Sequence, residues 1–182
     1  MLAPRLPTTI LPRPLAWAWQ GLRLMVLVSA MFLLPGLSAA QDLQPIPALT
    51  ARVMDQAGLL QPAQRQALED KLATFEAQAG PQIVVLTVAN TGIEDIADYA
   101  QRAGDAWKIG RRGVGDGLLL VVSRDDRKLR IQVAKALEGA VPDLAARQII
   151  ANNIGPAFKR GDYAAGLDAG VDALIARIKG EN

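Results

Sequence analysis

Asp116 stands in a loop with four glycines in eight residues, Gly110 to Gly117, directly ahead of the apolar run Leu118 to Val122. Glycine serves sharp turns and close backbone approach, so a carboxylate set among glycines can be brought against a ligand. Glu138 follows a later predicted strand that runs back to the same end of the sheet as Asp116. Two carboxylates meeting there suit a hard, oxygen-ligated cation such as calcium or magnesium. Lys108, Arg111 and Arg112 lie beside Asp116. Of these, Lys108 and Arg112 are candidate anion-binding residues at the rim of such a site; the plainer reading of the cluster is a solvated loop. Asp125-Asp126 is a second acidic pair, but in a tight turn such a pair serves turn chemistry more often than ligation.

The residue types that are missing narrow the chemistry further. The chain has no histidine and no cysteine, and beyond residue 40 its one serine is Ser123. A Ser–His–Asp triad, a Cys–His pair, a phosphohistidine intermediate and a typical zinc site are therefore excluded. What remains is carboxylate chemistry and oxygen-ligated cations. The glycine loop lacks the Gly-Lys-Ser/Thr of a nucleotide phosphate loop. Asp116 within it would repel phosphate unless a cation intervened.

These side chains need elements to hold them. Pro62 suits a first helical position, and Ala67, Leu68, Leu72 and Phe75 recur at helical spacing until Gly80-Pro81. Ile83 to Val88 is a β-branched run of the kind buried on both faces of a parallel sheet. Ile93 to Trp107 resumes the helical period. Leu118 to Ser123 is a second buried strand, Arg124 to Arg127 a polar turn, and Leu129 to Val133 an alternating strand. Pro142 to Asn153 predicts a helix interrupted at Gly155-Pro156, and a last amphipathic helix runs to Lys179. A right-handed crossover makes the first two strands parallel, and the short turn makes the last pair antiparallel. The expected fold is α/β: a three-layer α/β/α sandwich with a small mixed sheet.

The first forty residues read differently. Arg5, Arg13 and Arg23 precede an apolar run from Leu24 to Leu34, and Ser38 and Ala40 supply small residues at the end. This is the pattern of a secretory signal peptide, with cleavage expected near Ala40 and an exported, periplasmic or secreted product. The run falls short of the ~20 residues that span a bilayer. The expected organisation is a signal peptide over 1–40, an extended linker over 41–51 and one domain over 52–180. The whole chain carries 20 basic and 18 acidic residues, but the leader takes three arginines and no acid, leaving 17 against 18. No nucleic-acid partner follows from that balance, and no transmembrane span is expected in the mature chain. Trp107, the one tryptophan beyond the leader, is expected to anchor the glycine loop on the sheet.

Taken in order, several short segments resemble the TPM domain family. They are Val53-x-Asp55-x-Ala57-Gly58-x-Leu60, the strand Ile83 to Val88, and Trp107-x-Ile109-Gly110 ahead of Asp116-Gly117-Leu118-Leu119-Leu120. They continue with Asp126-Arg127-Lys128 into Arg130-Ile131, Leu137-Glu138-Gly139, Pro156-x-Phe158 and Gly161-Asp162-Tyr163. The resemblance covers about Val53 to Ile178 and implies an α/β/α sandwich with a mixed sheet. Two positions depart from the family pattern. Gly115 stands where relatives usually carry an acid, and Ala134-Lys135-Ala136 where they usually read Gly-Tyr-Gly. An acid lost beside Asp116 implies weaker cation binding.

What the family resemblance implies about function is divided. Some members are divalent-cation binders, a plant member has been ascribed acid phosphatase activity, and others are accessory factors for membrane complexes. The leading expectation is an exported binding or accessory module at the cell envelope, serving an envelope or membrane protein and binding calcium or magnesium. The alternative is a metal-assisted acid phosphatase, in which Asp55, Asp116 and Glu138 hold the cation while Lys108 or Arg112 stabilises phosphate charge.

Overall fold

The two most apolar segments form the centre of the sheet. In the computed structural model, which describes residues 43–180, Gln82–Val88 (β2) pairs in parallel with Gly117–Ser123 (β3), Ile83 lying opposite Leu118 and Thr87 opposite Val122. The leader and cleavage site expected over residues 1–40 lie outside the described residues. All seven residues of β3 are buried, which explains why the strand has no polar alternation. Lys128–Val133 (β4) returns antiparallel to β3, and its Ile131 is buried while Lys128 is exposed.

The order is β1-β2-β3-β4, three parallel strands and one antiparallel. The fourth strand, Val53–Asp55 (β1), is not among the elements expected from the sequence. Three residues are too few to carry a periodic signal, and the strand exists because Val53, Met54 and Asp55 pair with Val85, Leu86 and Thr87. Its edge is closed by the neighbouring helix, as the Val53 N–H donates to Glu69 at 2.8 Å and Arg52 is paired with both Glu69 and Glu76. An edge N–H satisfied by a side chain is no longer a template for another strand.

Helices cover both faces. Pro62–Ala79 (α1) presents Leu68, Leu72 and Phe75 to a core built with Ile83, Val85, Leu118, Leu120 and Val122. Tyr163–Gly180 (α5) adds Leu167, Val171, Leu174 and Ile178 to the same core. Ile96–Trp107 (α2) packs Ile96, Tyr99, Ala100 and Ala103 on the opposite face, over Val84, Leu86, Leu119 and Val121. It begins three residues later than its periodicity suggested because Asp95 caps it, accepting from the Ala97 N–H at 2.9 Å.

Two segments behave differently from expectation. Residues 43–50 contain no helix or strand, yet they do not hang away from the domain. Ile46 and Leu49 pack on the α2 face, the Trp107 indole donates to the Pro47 carbonyl at 2.7 Å, and Arg102 donates to the Gln44 carbonyl at 2.7 Å. Trp107 packs against the α2-side core, and its N–H ties down this strap rather than the glycine loop it was expected to anchor. Gly155-Pro156, expected to break a helix, is crossed by a nearly continuous one: Asp143–Ile149 (α3), a π-helical turn over Ile150–Ile154, and Gly155–Lys159 (α4). Proline cannot supply the helical N–H and its ring crowds the preceding turn. The wider turn relieves this, with the Gly155 N–H reaching back to the Ile150 carbonyl.

Candidate functional site

The glycine loop folds onto its own acid. Gly110, Gly113 and Gly115 all have positive φ, and Gly110 lies so close to the Asp116–Gly117 peptide that a Cβ there would be 2.5 Å from the Gly117 nitrogen. The loop therefore closes, and Asp116 enters it with only 2% of its surface exposed. Both oxygens of its carboxylate are engaged: Oδ1 accepts the Arg111 backbone N–H at 2.7 Å and Oδ2 accepts Arg111 Nε at 2.6 Å. A buried carboxylate matched by a guanidinium and a peptide N–H is a structural lock.

Of the other two acids expected around a cation, Asp55 is not brought to it. Asp55 is level with Thr87, whereas Asp116 immediately precedes Gly117, which is level with Gln82. Five residues of β2 separate those levels, roughly 17 Å at the rise of a strand. Ligands of one calcium lie within ~2.6 Å of it, so Asp55 and Asp116 cannot share an ion. Asp55 is instead committed locally, accepting from the Leu59 and Leu60 N–H groups at 3.0 and 2.9 Å and from the Thr87 hydroxyl. Glu138 does return to the Asp116 end, where the Ala136 N–H donates to the Gly115 carbonyl at 3.3 Å. Its side chain is exposed and has no partner among the described residues. The three named acids do not fit a calcium or magnesium site, and no cluster of three or more acids that could hold a metal occurs among the described residues. Lys108 and Arg112 are both exposed. Lys108 ends α2 in the left-handed conformation, its N–H bonded to Gly104.

Open chemistry lies at the other end of the sheet. There a cleft of about 630 Å³ separates the β3–β4 turn from the α4–α5 corner. Ligands of open α/β sheets favour this end, outside the carboxyl termini of parallel strands. Its rim carries Arg124, Arg127, Lys128 and Lys159, and no acid lines it. Phe158 and Tyr163 form its aromatic wall, edge to face with centroids 4.9 Å apart, and Val122 and Leu129 extend the apolar surface.

Local bonding decides how each cation is held. Arg124 donates from Nε to Asp125 at 2.8 Å and from Nη1 to the Ala57 carbonyl at 2.7 Å. The bond to Asp125 raises its pKa further. Lys128 reaches Asp95 at 3.3 Å, an exposed contact. Arg127 and Lys159 have no side-chain partner among the described residues. The turn itself is braced by Asp126, whose Oδ2 accepts the buried Ser123 hydroxyl at 2.6 Å and the Thr91 N–H at 3.0 Å. The Ser123 bond, and then the Thr91 N–H, hold this carboxyl below the ordinary value of 3.8. Asp126 is thus turn chemistry, as its spacing suggested. The basic residues around it went unassigned in the sequence, although Arg124, Arg127 and Lys128 surround the acidic pair and Lys159 lies between Phe158 and Tyr163. Only the fold unites them, by setting the α4–α5 corner across a cleft from the β3–β4 turn.

Comparison with known proteins agrees with this architecture. Residues 53–177 match the TPM domain. The solution structure of the N-terminal domain of a Porphyromonas gingivalis protein is similar at 32% identity and a TM-score of 0.67, covering 72% of this chain and 84% of that one. The BA42 protein of the psychrophilic bacterium Bizionia argentinensis is similar at 22% identity and a TM-score of 0.59, over 66% of this chain and 82% of that one. The N-terminal domain of the cg2496 protein of Corynebacterium glutamicum is similar at 17% identity and a TM-score of 0.54, over 76% and 87%. The last two likenesses concern the fold alone. No curated protein gives a match. With the domain matched over residues 53–177 and a relative of 32% identity across 72% of the chain, the chain belongs to the TPM domain family.

Proposed function

We propose that this TPM domain is a non-catalytic binding module of an exported protein, serving an envelope or membrane partner. The observation that carries the reading is how the candidate acids are used. Asp116 is locked by Arg111 and Asp55 by the turn after β1, so neither is poised to hold a metal, activate water or attack a phosphoryl group. At the other end of the sheet lies an open cleft with cations and aromatic rings, a composition suited to recognition. No helix among the described residues is long and apolar enough to cross a membrane. Export rests on the leader pattern of residues 1–40.

The test pairs two measurements. Photo-cross-linking in intact cells, with a probe at the cleft rim, is expected to trap a discrete envelope protein. Hydrolysis of an aryl phosphate with added magnesium or calcium is expected not to exceed that of the heat-unfolded chain. Turnover that disappears in Asp55→Asn, with the circular dichroism unchanged, would replace the binding module with a phosphatase.

A further inference from the structure

We infer that the cleft between the β3–β4 turn and the α4–α5 corner takes an acidic, extended peptide segment of the partner, with Arg127 and Lys159 as its principal contacts. The inference rests on the binding-module reading and names where and what that module binds.

Charge is the first argument. Four cations line the cleft without an acid among the lining residues, and two of them are already drawn to Asp125 and Asp95. Arg127 and Lys159 are left with uncompensated charge. A compact phosphate is usually cradled by free N–H groups at a turn or helix start. Around the α4–α5 corner most of them are spent: the Arg160 and Asp162 N–H groups donate to Ala157, the Gly161 N–H donates to Phe158, and the Asp162 carboxylate takes the Ala165 N–H, which leaves those of Tyr163 and Ala164. The four cations sit on long, separate side chains, an arrangement that suits several carboxylates spaced along a chain. Between those cations the Phe158–Tyr163 pair offers an apolar surface for an intervening side chain.

Backbone conformation supplies an independent argument. Arg127 has φ 54°, the left-handed region that a hairpin turn ordinarily fills with glycine. Backbone strain of this kind concentrates at ligand contacts, and here it presents an unpaired guanidinium at the mouth of the cleft.

The test uses a fluorescein-labelled peptide with four glutamates around one phenylalanine, its glutamine counterpart, and anisotropy with the full chain. The glutamate peptide is expected to bind, to weaken with salt, and to lose at least about tenfold in affinity in the R127G/K159Q double variant. A charge-matched R65Q/R177Q control is expected to bind as the parent does. Absence of binding, equal affinity for the glutamine peptide, or an equal loss in the control would overturn the proposal. Tighter binding of inorganic phosphate than of the peptide would also overturn it, assigning the cleft to phosphate esters. An envelope cross-link retained in R127G/K159Q would remove the cleft from the account while leaving the binding module standing. Phosphatase turnover would remove the module itself.

Discussion

Arg111 occupies both oxygens of the buried Asp116 carboxylate, one through its backbone N–H and the other through Nε. The pair turns the most conspicuous motif of the chain, a glycine loop with an acid, into a closed structural feature. Asp116→Asn places an amide where one oxygen accepts from Arg111, so at least one donor loses its acceptor. The expected cost is ~1–3 kcal/mol, the usual penalty for a buried polar group left unmatched. Arg111→Gln is expected to cost less, because the backbone N–H persists and the arginine side chain is 56% exposed. Urea unfolding of both variants checks the order.

The same lock makes a prediction about cations. With Asp116 committed to Arg111 and Asp55 at the far end of the sheet, calcium or magnesium is expected to leave the melting temperature unchanged. A ligand that bound the native state alone would raise it by mass action. A calcium-dependent rise in the parent that vanishes in Asp116→Asn would show that the ion displaces Arg111, and would restore a cation site to the glycine loop.

Strain at Arg127 predicts a division between stability and recognition. Glycine bears the left-handed conformation without the side-chain clash that costs other residues ~1–2 kcal/mol. Its larger unfolded-state entropy returns part of that gain, ~0.5–1 kcal/mol. Arg127→Gly is therefore expected to be neutral or up to ~1.5 kcal/mol more stable, a rise of at most roughly 5–9 °C in Tm. Calorimetry finding a loss above ~1 kcal/mol would mean that the arginine stabilises the turn itself.

Asp126 sets an acid limit on the turn. Its folded pKa lies below the unfolded value of 3.8, so the proton is bound more tightly in the unfolded chain. Its contribution is complete above that value and is lost as pH falls through the lower, folded pKa. Asp126→Asn keeps an acceptor for one donor but removes the charge. The gap in Tm between parent and variant is expected to narrow as pH is lowered from about 5 toward about 3. A constant gap would place the effect in shape or packing.

Much of the architecture was legible because it rests on local pattern. The runs at Ile83–Val88 and Leu118–Ser123 could be strands buried on both faces and little else, and the spacing of Leu68, Leu72 and Phe75 required a helix with one apolar face. Pairing escaped the same reading. β1 is three residues long and owes its existence to β2 beside it and Glu69 closing its edge. Pro156 stops an isolated helix. In the folded chain a π turn absorbs it, while Gly166 and Gly170 of α5 leave room for Phe158 and Ile154 to pack.

The candidate site divides along the same line. Residue types alone determined the chemistry that is out of reach, since a chain without histidine or cysteine has no triad, thiolate or typical zinc site. Short motifs in order determined the family and, with it, the sandwich. Tertiary structure alone decided which polar groups remain free. A carboxylate's role depends on the donors that surround it, and those around Asp116, Asp55 and Asp126 come from backbone turns and register that no spacing rule specifies. Four cations from two distant segments became one surface for the same reason. Charge is written in the sequence, but the neighbours that neutralise it or leave it open are set by the fold.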